Sequence, residues 1–218
     1  MLSTPVLLSE EAFDVLWHHG DLGEHHTVLH VPPAGLTARE VEQALYREGV
    51  PVDDTLDALR VLACADVECF GWIATNRDDT FPVVAASAGR HGVFALRDNG
   101  YLRLQSLYSA PADALVAHLP EVPPARGASI NARADEAWGS RPLRDLMRLP
   151  RTGMAKLFAA RRDRFGRRHR AESFLTTIDC PDGRWLVVRY TDDRRQSWVH
   201  ATPASRSLIA TWLTRLTA

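Results

Sequence analysis

RRDRFGRRHRAESFLTTIDCPDGRWLVVRYTDDRRQSWVHATPA, residues 161–204, is the stretch that decides how this chain folds. Its first ten residues carry six arginines and a single acid, Asp163. A strand-like run from Ser173 to Asp179 follows, then a turn at Pro181-Asp182-Gly183, a strand from Arg184 to Tyr190, and another from Gln196 to Ala201. Thr202 then stands before Pro203 as the cap of a last helix. Proline is well placed at a first helical position, because its missing N–H has no intrahelical partner to lose. Leu208, Ile209, Trp212, Leu213 and Leu216 form the apolar stripe of that helix. Read for charge, the stretch points to an anionic partner; read for the order of its elements, it is a meander closed by a helix.

The same order occurs upstream. Val67–Thr75, Val83–Ala88, Gly92–Arg97 and Tyr101–Leu107 read as four strands, and Asn99-Gly100 is a hairpin signal, since both residues tolerate the positive φ of a type I′ turn. Leu102 and Leu104 alternate with Tyr101, Arg103 and Gln105, so one face of that strand meets the core and the other meets solvent or a partner. A helix from Pro111 to Leu119 closes this meander as Pro203 opens the later one. Hairpin then helix, twice, describes one domain over 1–218 built from two related halves, roughly 1–130 and 131–218. The match is short, and an unrelated αβ chain would also produce it by chance.

Further out, Ser9 caps a helix through His18 with Phe13, Leu16 and Trp17 on one side. A short strand is expected from Val28 to Val31. Thr37-Ala-Arg-Glu40 is a capping box opening a helix that presents Val41 and Leu45 and stops at Gly49. Asp53 or Asp54 starts another with Leu56, Leu59 and Leu62. Pro120–Asn131 reads as a loop. Weak helical spacing returns from Arg141 to Ala160, broken at Pro150 and Gly153.

At 218 residues the chain can bury a proper core, and 45% apolar with 24% charged residues is the balance of a soluble globular protein. Net charge is −1, but residues 1–70 hold 13 acids against 3 bases and residues 141–218 hold 17 bases against 7 acids. These blocks compensate each other or form opposite faces. No secretory leader and no run of ~20 apolar residues is seen. Three cysteines, Cys64, Cys69 and Cys180, lack paired spacing, so a reduced cytoplasm fits better than a disulfide framework.

Three constellations carry chemistry. The run Arg161–Arg170 suits a nucleic acid or another anionic partner, but Phe165 is its only stacking residue and Gly166 breaks any helix, so a mobile, solvated arm lying near the acidic N-terminal region is favoured. His18-His19 and His25-His26, with His30 beyond, invite a metal, yet neighbouring side chains diverge and no cysteine lies near; surface and helix-end histidines are expected, with no metal and no cofactor. Asp179, Asp182, Asp192 and Asp193 sit at strand ends and read as turn residues rather than acid/base pairs. Nucleophile, phosphate-loop, dinucleotide and zinc-protease motifs are absent, so no catalytic residues are assigned. The six tryptophans (17, 72, 138, 185, 198 and 212) are core candidates, with Trp72 and Trp198 also placed to face a partner.

Taken together, Leu8-Ser-Glu-Glu-Ala-Phe-Asp-Val-Leu-Trp17, the Leu59-Arg-Val-Leu62 helix with Ala88-Gly89 downstream, Arg161–Arg170, Asp179-x-x-Asp-Gly-Arg-Trp185, Trp198 and Thr202-Pro-Ala204 resemble the EspG family, the cytosolic chaperones of type VII (ESX) secretion. The resemblance spans nearly the whole chain, and its weight lies in the collinearity of soft motifs. It implies an α/β (α+β) fold: a central antiparallel sheet with quasi-two-fold halves, flanked by N- and C-terminal helices. It also implies a cytoplasmic chaperone that holds the helical tip of a secretion substrate, PE–PPE-like or an analogous helical hairpin, on an open sheet face and the C-terminal helical bundle. The link Asn76–Phe81 is short for a loop that often reaches toward the partner. The face expected to bind contains Tyr101, Arg103 and Gln105, with Trp72 and Arg97 on neighbouring strands and Arg189 across the repeat. No membrane partner is expected, and self-association stays open. The runner-up is a nucleic-acid or anionic-partner module using Arg161–Arg170.

Overall fold

In the computed structural model, residues 1–75, 79–137 and 139–217 are described. β1 (Val6–Ser9) runs straight into α1 (Glu10–His19), followed by α2 (Ala38–Arg47) and α3 (Val52–Ala63). The first meander is β2 (Val67–Ala74), β3 (Thr80–Ala88), β4 (His91–Asp98) and β5 (Tyr101–Ser106), closed by α4 (Pro111–Ala117). After β6 (Ile130–Arg133) and α5 (Arg141–Met147) comes the second: β7 (Gly153–Arg162), β8 (Arg168–Arg170), β9 (Leu175–Cys180), β10 (Gly183–Thr191) and β11 (Ser197–Pro203), closed by α6 (Arg206–Leu216).

Local signals explain many boundaries. The Ser9 hydroxyl accepts the Ala12 N–H at 3.1 Å, and the Thr37/Glu40 box is complete, with Glu40 Oε2 accepting the Thr37 N–H at 2.8 Å. Asn99 and Gly100 take φ of 48° and 80°, the backbone of a type I′ hairpin.

The strands form one antiparallel sheet in the order β1-β5-β4-β3-β2-β7-β9-β10-β11-β6, with β8 on the same edge of β7 as β9. The order runs outward from the β2–β7 pair through β3, β4, β5 on one side and β9, β10, β11 on the other. At that seam Gly71 lies against Leu157, and a Cβ there would stand 2.0 Å from the Lys156 carbonyl oxygen, so only glycine fits.

Side-chain alternation gives the sheet two faces. On the front, Phe70, Val84, Ala95, Leu102, Leu104 and Phe158 pack under α1–α3 against Phe13, Leu16, Leu59 and Leu62. Further along the same face, α5 lays Leu143 and Leu146 on Trp185 and Ala201. On the back, α4 and α6 cover Cys69, Val83, Ala85, Leu157, Leu175, Leu186 and Val188. Burial pushes the Cys69 thiol up to about 12, which keeps it a protonated core group.

Several expectations are corrected. Val28–Val31 is not a strand; Val28, Leu29 and Val31 are buried from a turn-rich loop that plugs the first core. Residues 153–160 are not helical but the middle of the sheet. From Leu157 to Ala160 β7 is buried on both faces, Phe158 and Ala160 in front and Leu157 and Ala159 behind, and such a stretch loses the alternation that marks exposed ones. β1 and β6, short edge strands, escape the sequence reading altogether. Thr202 and Pro203 end β11, paired with Leu186 and Trp185, while Ser205 caps α6 by accepting the Leu208 N–H at 3.2 Å.

The arginine run is not an arm but an ordered β7–β8 hairpin. Arg162 donates to the carbonyls of Ala63 (2.9 Å) and Ala65 (3.2 Å) at the end of α3, and Arg168 pairs with the buried Glu68 of β2. The N-terminal acid block does meet it, through that one carboxylate. Asp179 is not a turn residue either. It is buried and takes a bidentate pair from the fully buried Arg184, at 2.6 and 2.8 Å. Arg184 also donates to the Pro120 carbonyl at 2.9 Å, stapling the 120–125 loop to the sheet. Asp192 is the turn residue expected, accepting from the Arg194 and Gln196 amides and the Trp198 indole. The His25 and His26 side chains are each only 5% exposed, against the surface placement expected for them. Trp17 and Trp185 are core; Trp138 and residues 76–78 of the short link lie outside the described residues.

Candidate functional site

The two front-face helical layers do not meet. Between α1–α3 and α5 runs an uncovered strip of sheet, crossed by the register row Trp72–Lys156–Thr176–Val187. Trp72 is half-buried, edge-on to Phe158 at 6.0 Å between ring centroids. Met154 is 38% exposed and Lys156 is exposed, its ammonium 4.6 Å from the Phe174 ring centroid. That cation–π contact holds the charge flat over the strip.

The strip opens into a groove of about 490 Å³ between α5, the segment after β6, and strands β10 and β11. Ala134, Ala137, Leu143, Met147, Val187 and Val199 line it with apolar surface, and Arg144, Arg148 and Arg189 stand among them. The pattern follows from α5: Leu143 and Leu146 are buried against the sheet, leaving Arg144, Met147 and Arg148 exposed. Arg189 projects from the front of β10, opposite Val199. Among the described residues, none of these three arginines has a carboxylate within 4 Å, whereas Arg133 on β6 is paired with Asp135 at 2.9 Å. The hydrogen bond from Arg133 holds the Asp135 carboxyl below its ordinary value. An apolar floor ringed by free cations suits an apolar protein tip with acidic flanks.

The six expected partner residues do not share a face. Trp72 lies on the front strip and Arg189 lines the groove. Arg97 is also in front, but it donates to the His30 carbonyl and approaches Glu10 at 3.7 Å, tying the start of α1 to β4. Tyr101, Arg103 and Gln105 point to the back, where with Leu7, Leu96 and His118 they line a separate hollow of about 300 Å³ over Phe94. His118 stacks on Phe94 at 3.7 Å between centroids. The sheet itself separates the two groups.

A family model described as the EspG family matches residues 9–215. This chain belongs to the EspG family. It is also similar to a solved structure, the Mycobacterium tuberculosis type VII secretion system chaperone EspG5 in complex with a PE25–PPE41 dimer, with TM-score 0.77 and 15% identity over 98% of this chain and 95% of that one. At that identity the likeness shows the fold. A putative adenylate cyclase from Bacillus halodurans aligns with TM-score 0.16 and 14% identity over 83% of this chain and 82% of that one, too slight an overlap to carry any feature across. A search among curated proteins returned no match.

On the front surface of this EspG-family chain, the residues named from sequence are Trp72 and Arg189 at the strip and groove and Arg97 beyond them; Met154, Lys156, Leu143, Met147, Arg144 and Arg148 were not singled out as groove or strip residues. A signal existed for two of them. Met154 and Lys156, the only lysine, alternate with Gly153, Ala155 and Leu157, the period of a half-buried strand end.

Proposed function

We propose that this chain is a cytosolic, non-enzymatic chaperone or adaptor that holds the helical tip of a type VII (ESX) secretion substrate, a PE–PPE-like or analogous helical hairpin. Membership of the EspG family and a fold shared with a chaperone solved in complex with a PE25–PPE41 dimer support this reading. No helix among the described residues is long and apolar enough to cross a membrane. We read the chain as one domain in two related halves, roughly 1–130 and 131–218; the strand order running outward from β2–β7, and the closure of each meander by α4 or α6, support that division.

The observation that carries the binding site is the arginine-ringed apolar groove opening onto the Trp72–Lys156 strip. An apolar helical tip seats on Leu143, Met147, Val187 and Val199, and Arg144, Arg148 and Arg189 orient it by its acidic residues. Tyr101, Arg103 and Gln105 lie behind the sheet, outside the reach of that tip.

The test is co-purification and titration calorimetry with a helical-hairpin secretion heterodimer from the same genome. Arg189→Glu and Met147→Asp, both at exposed groove residues, are expected to abolish capture, and Arg103→Glu to leave it intact. Capture that survives both front variants and fails with Arg103→Glu overturns the site. The nucleic-acid alternative is weakened by the structure, since Arg162 and Arg168 are already occupied within the protein.

A further inference from the structure

We propose that Asp14, His18 and His25 form a binding site for a single divalent transition-metal ion, zinc by the chemistry of its donors. Neighbouring histidines do diverge, as the sequence suggests, but the fold brings one member of each pair to the same carboxylate. His18 lies one turn after Asp14 on α1. The loop after α1 folds back and delivers His25 onto the same oxygen.

Two of the three donor separations are those of a coordination sphere. Asp14 Oδ1 stands 3.2 Å from His18 Nδ1 and 3.4 Å from His25 Nε2, and the three donor atoms lie within 4.8 Å of one another. Zinc takes imidazole nitrogens and carboxylate oxygens at about 2.0–2.2 Å in a tetrahedron, which puts neighbouring donors about 3.3 Å apart. Two imidazoles and one carboxylate suit zinc among the metals that N/O donors select, and leave its fourth position for water.

A second observation is independent of spacing. The Asp14 and His25 side chains are 7% and 5% exposed, and Asp14 Oδ1 and His25 Nε2 are buried atoms without a hydrogen-bond partner. Buried polar atoms are rarely left so. The other carboxylate oxygen, Oδ2, is fixed by the Ala34 N–H at 2.7 Å, which aims Oδ1 at the two rings. Phe13 and Trp17 wall the His25 ring at 5.0 and 5.5 Å between centroids. His18 is 65% exposed and gives the ion its way in. Its Nδ1 donates to the Asp14 carbonyl at 2.8 Å; to ligate, it gives up that hydrogen bond, turns its lone pair to the ion and carries the proton on Nε2. Occupied, the site fastens the 20–34 loop to α1.

The experiment titrates zinc chloride into the full chain, freed of metal by chelator and exchanged into buffer, by calorimetry. One equivalent is expected, with a rise in unfolding temperature. Loss of an outer-shell partner already costs a metal site about 10–100-fold, so His18→Ala and Asp14→Asn are expected to weaken binding about 100-fold or more. His18→Ala removes an exposed side chain and keeps the fold, checked by circular dichroism. His19→Ala, at the neighbouring histidine facing Glu42, is expected to bind as the parent does. No binding by the parent chain overturns the proposal, as does undiminished binding by His18→Ala and Asp14→Asn. Binding lost equally in His19→Ala would mean histidines acting without a defined site, and overturns it too. These outcomes are independent of client capture.

Discussion

The β7–β8 hairpin and the α5 groove are both rich in arginine, and they use it in opposite ways. In the hairpin, Arg162 closes the carbonyl end of α3 and Arg168 neutralises Glu68, so two of six charges are consumed in holding the fold together. In the groove, Arg144, Arg148 and Arg189 have no carboxylate partner among the described residues and stand around apolar surface. On the proposed site, density of charge along the sequence is a poor guide to where a partner sits. What lies beneath the charges decides, because a free cation beside a desolvated apolar floor gains orientation and specificity, while a cation on a solvated hairpin is screened. A third kind of arginine, Arg184, makes the contrast sharper: it is fully buried and belongs to the core.

The largest expected effect is at that buried residue. Asp179→Ala leaves the Arg184 guanidinium uncompensated inside the protein, and breaking such a pair costs about 3–5 kcal/mol. Chemical denaturation should show the loss, with the 120–125 loop released from its Pro120 anchor. A loss under 1 kcal/mol would mean water reaches Arg184 and that it is not a core residue.

Next is the groove. Arg189→Glu is expected to cost client binding about 2 kcal/mol or more, the scale of an interface hot spot, with an unfolding midpoint unchanged. The same reversal at Arg168 is expected to do the converse. If Arg189→Glu lowers stability and spares binding, the two regions have been assigned the wrong way round.

The hairpin anchor also has a pH signature. Burial alone pushes the Glu68 carboxyl up, but the hydrogen bond and charge of His26, 3.5 Å away, and the Arg168 guanidinium outweigh it and hold the group below its ordinary value. A depressed carboxylate contributes stability that is present above its unfolded value, about 4.3, and is lost as pH falls through the folded one. Glu68→Gln should therefore be less stable than the parent at pH 7 and converge with it in acid. Parallel stability curves down to low pH would exclude the Glu68 contribution.

How much of this was legible follows the range of the interactions. The Ser9 cap, the Thr37/Glu40 box, the Asn99-Gly100 turn and the Leu102/Leu104 alternation are written within four residues of one another, and the structure keeps them all. The centre of β7, Leu157–Ala160, was hidden because burial on both faces erases its period. The hairpin was hidden because Arg168 finds Glu68 a hundred positions away. At the site, Trp72 and Arg189 could be read as outward strand residues, but which face each strand turned outward depends on pairing, so Tyr101, Arg103 and Gln105 were grouped with them across the sheet. The His18/His25 convergence is likewise made by a loop without periodicity.

The smallest expected effect tests the hairpin tip. Arg164 stacks over Phe165 at 4.7 Å, and Phe165 is 73% exposed, so neither residue has a buried neighbour to lose. Surface substitutions of this kind fall within about 0.5 kcal/mol, and Arg164→Ala with Arg167→Ala should leave stability and client capture unchanged. The same double variant settles the anionic-partner alternative. If the hairpin grips phosphates, removing two of its four uncommitted arginines must lower the salt slope of oligonucleotide binding by about 2. The groove assignment requires instead that the parent chain bind mixed oligonucleotides too weakly for a slope to be drawn. A steep slope in the parent, flattened by the double variant, would return the arginine run to the centre of the protein's function and leave the groove as a secondary surface.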